Sequence, residues 1–352
     1  MNSEKKQRII LLDLLRAFAV VMMIQGHTIH SLLDSSYSSS SSLIYQSWIF
    51  IRGVTAPIFI FTSGLIFTYL LLQNQLSFKD NPRISKGLIR GITLILIGYL
   101  LRYPTVNIFR LSEISKEQWL TFFSVDALHL IGVGLLLIIL FAYVADYLKL
   151  NLSLLLFPLV LIILITAPFL NSLDWDSSFI PIASYFTYNY GSIFPLFPYL
   201  LYLFLGGLLG VFIVNDDSLI KKSFFLVVIL GIGVAIIFLT LFLSNNFGIN
   251  LYYASLLKTG IVLSLFSVVG WSSKKMVSLP NYLQSLARNS LWIYIIHLVL
   301  LYGSPTSIGL YQIVGKTQSA EVSIFSAVIM IILMTIISLG IDKLRVRKFK
   351  IF

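Results

Sequence analysis

Long apolar runs and short polar intervals alternate along the whole chain. The runs fall at residues 9–33, 48–72, 86–103, 123–146, 152–170, 195–214, 223–244, 251–271, 289–304 and 321–341. Crossing ~30 Å of hydrocarbon takes ~20 helical residues. Backbone amides cannot go unpaired in lipid, so only helices or a closed barrel can span it. Barrel strands alternate apolar and polar positions, whereas these runs are continuous. The pattern therefore predicts an all-α, polytopic transmembrane helix bundle of about ten helices. The ninth run is short and closes on Gly303 and Pro305. The first follows Lys5, Lys6 and Arg8, as a secretory leader would, but it is too long for an h-region and contains Asp13 and Arg16. No small-x-small site closes it, so it reads as the first transmembrane helix.

Charge orients the bundle. With the N-terminus inside, 18 Lys and Arg fall in or beside the inner segments, and four (Arg102, Arg110, Lys116 and Lys316) fall outside. That bias is a strong positive-inside signal and puts both termini on the cytoplasmic side. It also explains the net charge of +11 without nucleic acid. Of 352 residues, 58% are apolar and 11% charged, against about a quarter charged in a soluble domain. No polar stretch is long enough to bury its own core, so residues 1–352 read as a single transmembrane domain. Cysteine is absent, which excludes disulfides, thiolate metal sites and a cysteine nucleophile. Among outer loops, residues 35–42 are nearly all serine, a solvated tract. Residues 171–193 carry Asp174, Trp175, Asp176 and several tyrosines. They read either as a sugar-binding surface or, preferably, as an interfacial aromatic belt.

The three basic residues not counted with the inner or outer segments, Arg16, Arg52 and Lys258, fall inside apolar runs. A charge near the bilayer centre costs at least ~2.5–3.5 kcal/mol, so such residues face a bundle interior or a water-filled cavity by default. Snorkelling is the competing account for Arg52, four residues into its run, and less so for Arg16, about seven residues in. The four histidines, His27, His30, His129 and His297, all fall toward the outer half of their runs, in one layer with Arg52 and Asp126. Asp126 and His129 are three apart and share a helix face; a carboxylate there fixes the imidazole tautomer and raises its basicity. Only His27 and His30 have helical i,i+3 spacing among the histidine pairs and carboxylates are few, which argues against a metal site.

Five segments in order resemble a known superfamily: LLDLLRAFAVVMMIQGH (11–27), IRGVTAPIFIFTSG (51–64), DALHLIGVG (126–134), YGSIFPLFPYLLYLFLGGLLG (190–210) and ARNSLWIYIIHLVLLYG (287–303). Arg16, ten residues and His27 resemble the Arg-x10-His signature of the acyltransferase-3 family of membrane O-acyltransferases. The other segments look more like the related heparan-alpha-glucosaminide N-acetyltransferase-like family. The resemblance implies transfer of an acyl group, commonly acetyl, from cytoplasmic acyl-CoA to a sugar hydroxyl or amine on the far side of the membrane. By that motif Arg16 binds acyl-CoA or organises its tunnel, and His27 is the catalytic histidine. The chain departs from the pattern in two ways. Ala17 stands where the family's Asp-x-x-Arg-Gly has glycine, and residues 31–47 hold no histidine, so the active-histidine role of the lysosomal relative passes to His27 or lapses.

Acyl transfer from a thioester needs a base for the acceptor and a donor for the oxyanion. His27 is the expected base, or else a covalent acyl carrier, and Arg52 the expected oxyanion donor. Asp126 and His129 orient His27 or bind the acceptor, and His30, His297 and Lys258 are further substrate-binding candidates. The co-substrate is acetyl-CoA or another acyl-CoA, with no metal. Lys149, Lys221, Lys222, Lys274 and Lys275 on the inner rim are read as topology signals before CoA-phosphate contacts. The expected surroundings are the lipid bilayer of a bacterial inner membrane and a glycan or lipid-linked sugar acceptor; no oligomeric state follows. The rival readings are a transporter or lipid flippase, which a buried polar layer serves equally well, and a non-catalytic scaffold, which leaves the histidine layer unexplained.

Overall fold

The computed structural model describes residues 10–37, 42–104, 114–173, 175, 179–216, 218–247, 251–304 and 307–349. Lys5, Lys6, Arg8, Arg110, Asp174, Asp176, Pro305, Lys350 and residues 38–41 of the serine tract lie outside the described residues. The helices are α1 (Ile10–Leu32), α2 (Leu43–Leu72), α3 (Pro82–Leu101), α4 (Lys116–Phe123), α5 (Ala127–Leu148), α6 (Ser153–Ser172) and α7 (Ile180–Ala183). They continue with α8 (Leu196–Asn215), α9 (Ser223–Phe247), α10 (Leu251–Lys274), α11 (Asn281–Arg288), α12 (Ser290–Tyr302), α13 (Leu310–Val314) and α14 (Ala320–Phe349). Among the described residues nine helices are long and apolar enough to cross a bilayer, and ten spans result when α11 and α12 count as one bent span.

Most expected runs and observed helices coincide to within four residues; α2 begins at Leu43 rather than 48, α14 extends to Phe349 rather than 341, and the ninth run departs in kind. The ninth run, expected over 289–304, is helical only over α12, whose 13 residues reach ~20 Å at 1.5 Å per residue, well short of the hydrocarbon thickness. The preceding α11 is turned 79° from it. Asn289 sits at the break. Its side-chain amide donates to the Ser338 carbonyl (3.2 Å) and to Asp342 (3.0 Å) on α14, tying the bend to that helix, while its own backbone amide still donates to the Ser285 carbonyl and its carbonyl accepts from the Ile293 amide.

The chain divides into two compact units that interleave in sequence. The first comprises Met1–Thr55, Leu265–Tyr302 and Gly309–Phe352. In it α1 packs against α11, α12 and α14. The end of α1 is tied down where the Gln318 amide donates to the Leu32 carbonyl and the Asp34 amide donates to the Gln318 carbonyl, both at 2.9 Å.

The second unit comprises Ala56–Ser264 and Gly303–Ile308. Here α3 packs on α5, and α8 on α5 and α6. Apolar side chains gain little by leaving lipid for one another, so close backbone approach has to supply the attraction. Small residues permit it. A Cβ on Gly206 of α8 would lie 2.0 Å from the Phe61 carbonyl oxygen of α2, and one on Gly132 of α5 would lie 2.7 Å from the Gly91 oxygen of α3. Asn81 starts α3 by accepting from the Arg83 amide, with Pro82 in the first turn, and donates to the Leu71 carbonyl at the end of α2. Large apolar side chains such as Ile165, Phe238 and Phe242 remain exposed, as lipid-facing residues must.

Gly206→Ala is expected to overpack the α2–α8 contact, at about 1–3 kcal/mol or more, and to lower the melting temperature in detergent. Gly231→Ala, where a Cβ meets nothing within 4 Å, should leave it unchanged; equal effects of the two would refute the close-approach account. Because the chain has no cysteine, single cysteines report orientation cleanly. Ser36→Cys should react with an impermeant maleimide on intact cells and Ser218→Cys only after permeabilisation, and the reverse pattern would invert the topology.

Candidate functional site

In the first unit α1, the start of α2 and α12 bring a polar cluster together. Nδ1 of His27 lies 3.2 Å from the Tyr302 hydroxyl, and the Tyr302 ring meets the imidazole edge-on. The ring centroids of His27 and His297 are 5.4 Å apart. Arg52, His30 and His297 are the charged or ionisable groups whose fields reach His27. Gly26, beside His27, makes room for the arginine: a Cβ there would stand 3.2 Å from Arg52 Cγ. The Arg52 guanidinium lies over the Trp48 ring at 5.7 Å, and the Trp48 indole donates to Gln25 on α1 at 3.1 Å. No carboxylate pairs with Arg52 among the described residues, so its charge remains available to an anion.

His297 is fully buried. Its Nδ1 donates to the Ile293 carbonyl at 2.8 Å, which leaves a lone pair on Nε2, and that atom has no partner among the described residues. His30 is half-buried, with Arg52 and Lys316 as its charged neighbours. Arg16 stands apart from this cluster along α1. Eleven residues make three helical turns plus about 20°, so Arg16 and His27 share one helix face, ~16 Å apart along the axis. Both are only partly covered.

The second unit holds a separate cluster around the start of α5. Asp126 is its N-cap, accepting from the amides of Leu128 (2.9 Å) and His129 (3.3 Å). The same carboxylate accepts from His129 Nδ1 at 2.9 Å and faces Arg102 Nε at 3.5 Å. The Asp126 amide also points at His129 Nδ1, at 3.3 Å, but one nitrogen cannot donate and accept at once, and the shorter, charge-assisted bond to the carboxylate decides the tautomer. Arg102, the residue that closes α3, donates to the Ser124 hydroxyl and to the Thr121 carbonyl. His129 is sealed in: its imidazole lies flat on Gly98, where a Cβ would fall 2.5 Å away, and the Tyr99 ring centroid is 4.3 Å distant. The Tyr99 and Tyr185 hydroxyls meet at 3.0 Å. Burial, and then Tyr99, raises the Tyr185 phenol well above its ordinary range, so it stays neutral. Lys258 of α10, in the same unit, is half-buried and joins neither Asp126 nor His129 among the described residues.

The structure thus gathers His27, His30, His297 and Arg52 in one unit, and Asp126 with His129 in the other. A family model for an acyltransferase domain, that of the acyltransferase-3 family, matches residues 9–343. The chain belongs to the acyltransferase-3 family. No curated protein matches it. This acyltransferase-3 protein is therefore a multi-pass membrane acyltransferase, and the transporter and scaffold readings give way. Sequence reasoning missed Tyr302, Trp48 and Gln25, because a tyrosine or tryptophan near the end of an apolar run reads as an interfacial anchor. Arg102 did carry a signal: it stands on the side the charge bias otherwise leaves poor in cations.

Asp126→Ala should remove a helix cap, about 1 kcal/mol, and strand a largely buried arginine, about 3–5 kcal/mol. Asp126→Asn keeps a capping oxygen and loses only charge. Melting temperatures should fall in the order wild type, Asn, Ala; equal stability of all three would show that the Arg102–Asp126–His129 contacts hold nothing.

Proposed function

We propose that this membrane acyltransferase takes an acyl group, acetyl in the simplest case, from cytoplasmic acyl-CoA and transfers it to a sugar hydroxyl or amine on the outer face of a bacterial cytoplasmic membrane. The observation that carries the reading is the partly accessible His27, held at the Tyr302 hydroxyl beside a guanidinium that has no carboxylate partner among the described residues. With Nδ1 protonated and donating to the Tyr302 oxygen, His27 Nε2 takes the proton of the acceptor as its oxygen or nitrogen attacks the thioester carbon. Arg52 donates to the oxyanion that forms. The carbon–sulfur bond then breaks, the acyl group stays on the acceptor, and the departing CoA thiolate recovers the proton from His27.

The spacing of Arg16 supports its place on the donor side. It shares a face of α1 with His27, three turns nearer the end that the charge bias assigns to the cytoplasm, a distance that the extended pantetheine arm of CoA can bridge. His30 and His297 flank the same point. Asp126 and His129 belong to the acceptor side through Arg102.

The test is incubation of detergent-purified protein with radiolabelled acetyl-CoA, with and without cell-envelope extract. Wild type should release CoA and label an envelope glycan. His27→Ala should lose at least ~10²-fold of that rate, the usual contribution of a general base, with unchanged expression. A fully active His27→Ala protein would overturn the assignment.

A further inference from the structure

Four basic residues sit on the side the charge bias assigns to the outside, where topology does not call for them: Arg102, Arg110, Lys116 and Lys316. Two of them, Arg102 and Lys116, line one cavity of about 440 Å³ in the second unit. That volume lies in the range of small-molecule sites. Its walls come from two segments on the same side of the bundle, one between α3 and α5 and one between α6 and α8. These are stitched together where the Ile193 and Phe194 amides donate to the Val125 carbonyl and the Val125 amide donates to Ser192. Thr121, Ser124 and Asn189 add hydroxyl and amide groups. At Gly191 a positive φ of 79° turns the backbone along the wall, and a Cβ there would meet nothing within 4 Å.

The charge of the wall is one-sided. No carboxylate lines the cavity among the described residues. Asp126 stands behind Arg102, at 3.5 Å from Nε, and offsets that charge while holding the guanidinium in place. His129 in turn fixes Asp126, so the sealed imidazole acts on the cavity through two contacts. Glu117, next to Lys116, is exposed and feels the lysine charge, but it does not line the cavity. Lys116 forms no ion pair among the described residues. Arg102 and Lys116 therefore stand on the wall itself, ringed by hydroxyl and amide groups, while Asp126 and Glu117 lie outside the lining.

We propose that this cavity binds the anionic group of a hydroxyl-rich ligand, a phosphate or carboxylate carried on a sugar. A cation set among hydroxyls and an amide fits a singly charged group with hydroxyls around it. Calling that ligand the acyl acceptor rests on the function proposed above; the binding itself does not.

The experiment is ligand-observed NMR on the detergent-purified full chain with glucose 1-phosphate, glucuronate, glucose and glycerol 3-phosphate at equal concentration. Glucose 1-phosphate and glucuronate should bind, more weakly as salt is raised, and glucose should not. Lys116 is exposed, so its replacement should leave the melting temperature alone. Lys116→Gln should weaken binding about fivefold, near the top of the range for one exposed charge pair, and Lys116→Glu should abolish it. Binding of glucose as tight as that of its phosphate, retained binding in Lys116→Glu, or no binding of either anionic sugar would each overturn the proposal. Glycerol 3-phosphate binding as tightly as glucose 1-phosphate would make the cavity a simple phosphate or lipid-headgroup site and overturn the sugar assignment. His27→Ala should bind as wild type does, so a failure of the catalytic reading and a failure of the cavity appear in different measurements.

Discussion

A backbone amide in hydrocarbon has no partner except another backbone amide or a side chain brought to it. Every larger feature of this chain follows from that shortage. It forces the apolar runs into helices, and it brings the helices together where glycine lets one backbone approach the next, as at Gly206 against Phe61 and Gly132 against Gly91. It also sets the terms for irregularity. Where the chain bends between α11 and α12, the Asn289 backbone keeps its bonds to Ser285 and Ile293, and the Asn289 side chain anchors the bend to α14.

The same shortage makes the polar groups informative. Asp126 is claimed by two amides, an imidazole and a guanidinium, which is how a buried charge becomes tolerable. Arg52 is held by packing against Trp48 and α1, and among the described residues it meets no carboxylate and His297 keeps one nitrogen unmatched. An arginine that is positioned yet without a carboxylate among the described residues, beside a partly accessible histidine, is poorly explained by stability alone. It suits a developing negative charge that exists only during reaction.

The helices and their order were legible because hydropathy acts locally, residue by residue. Even the pairing of Asp126 with His129 could be read, since three residues apart on a helix means one face. The partners of these groups could not. Tyr302 meets His27 across 275 positions, and Arg102 meets Asp126 only because α3 and α5 pack closely at small residues. Such contacts depend on which helices become neighbours, and hydropathy does not encode that. The break at Asn289 was hidden for a related reason: an asparagine in an apolar run gives no sign of whether a neighbouring helix will answer it.

The interval between Arg16 and His27 is a length and an angle at once. One residue inserted anywhere between them would advance His27 by only ~1.5 Å but swing it through ~100° around the helix. The side chain would then leave the face it shares with Arg16. The ten intervening positions can therefore change identity far more freely than they can change in number. Descendants of this sequence would be expected to accumulate substitutions across that stretch while insertions and deletions are purged, so that α1 keeps its gauge even where its composition drifts.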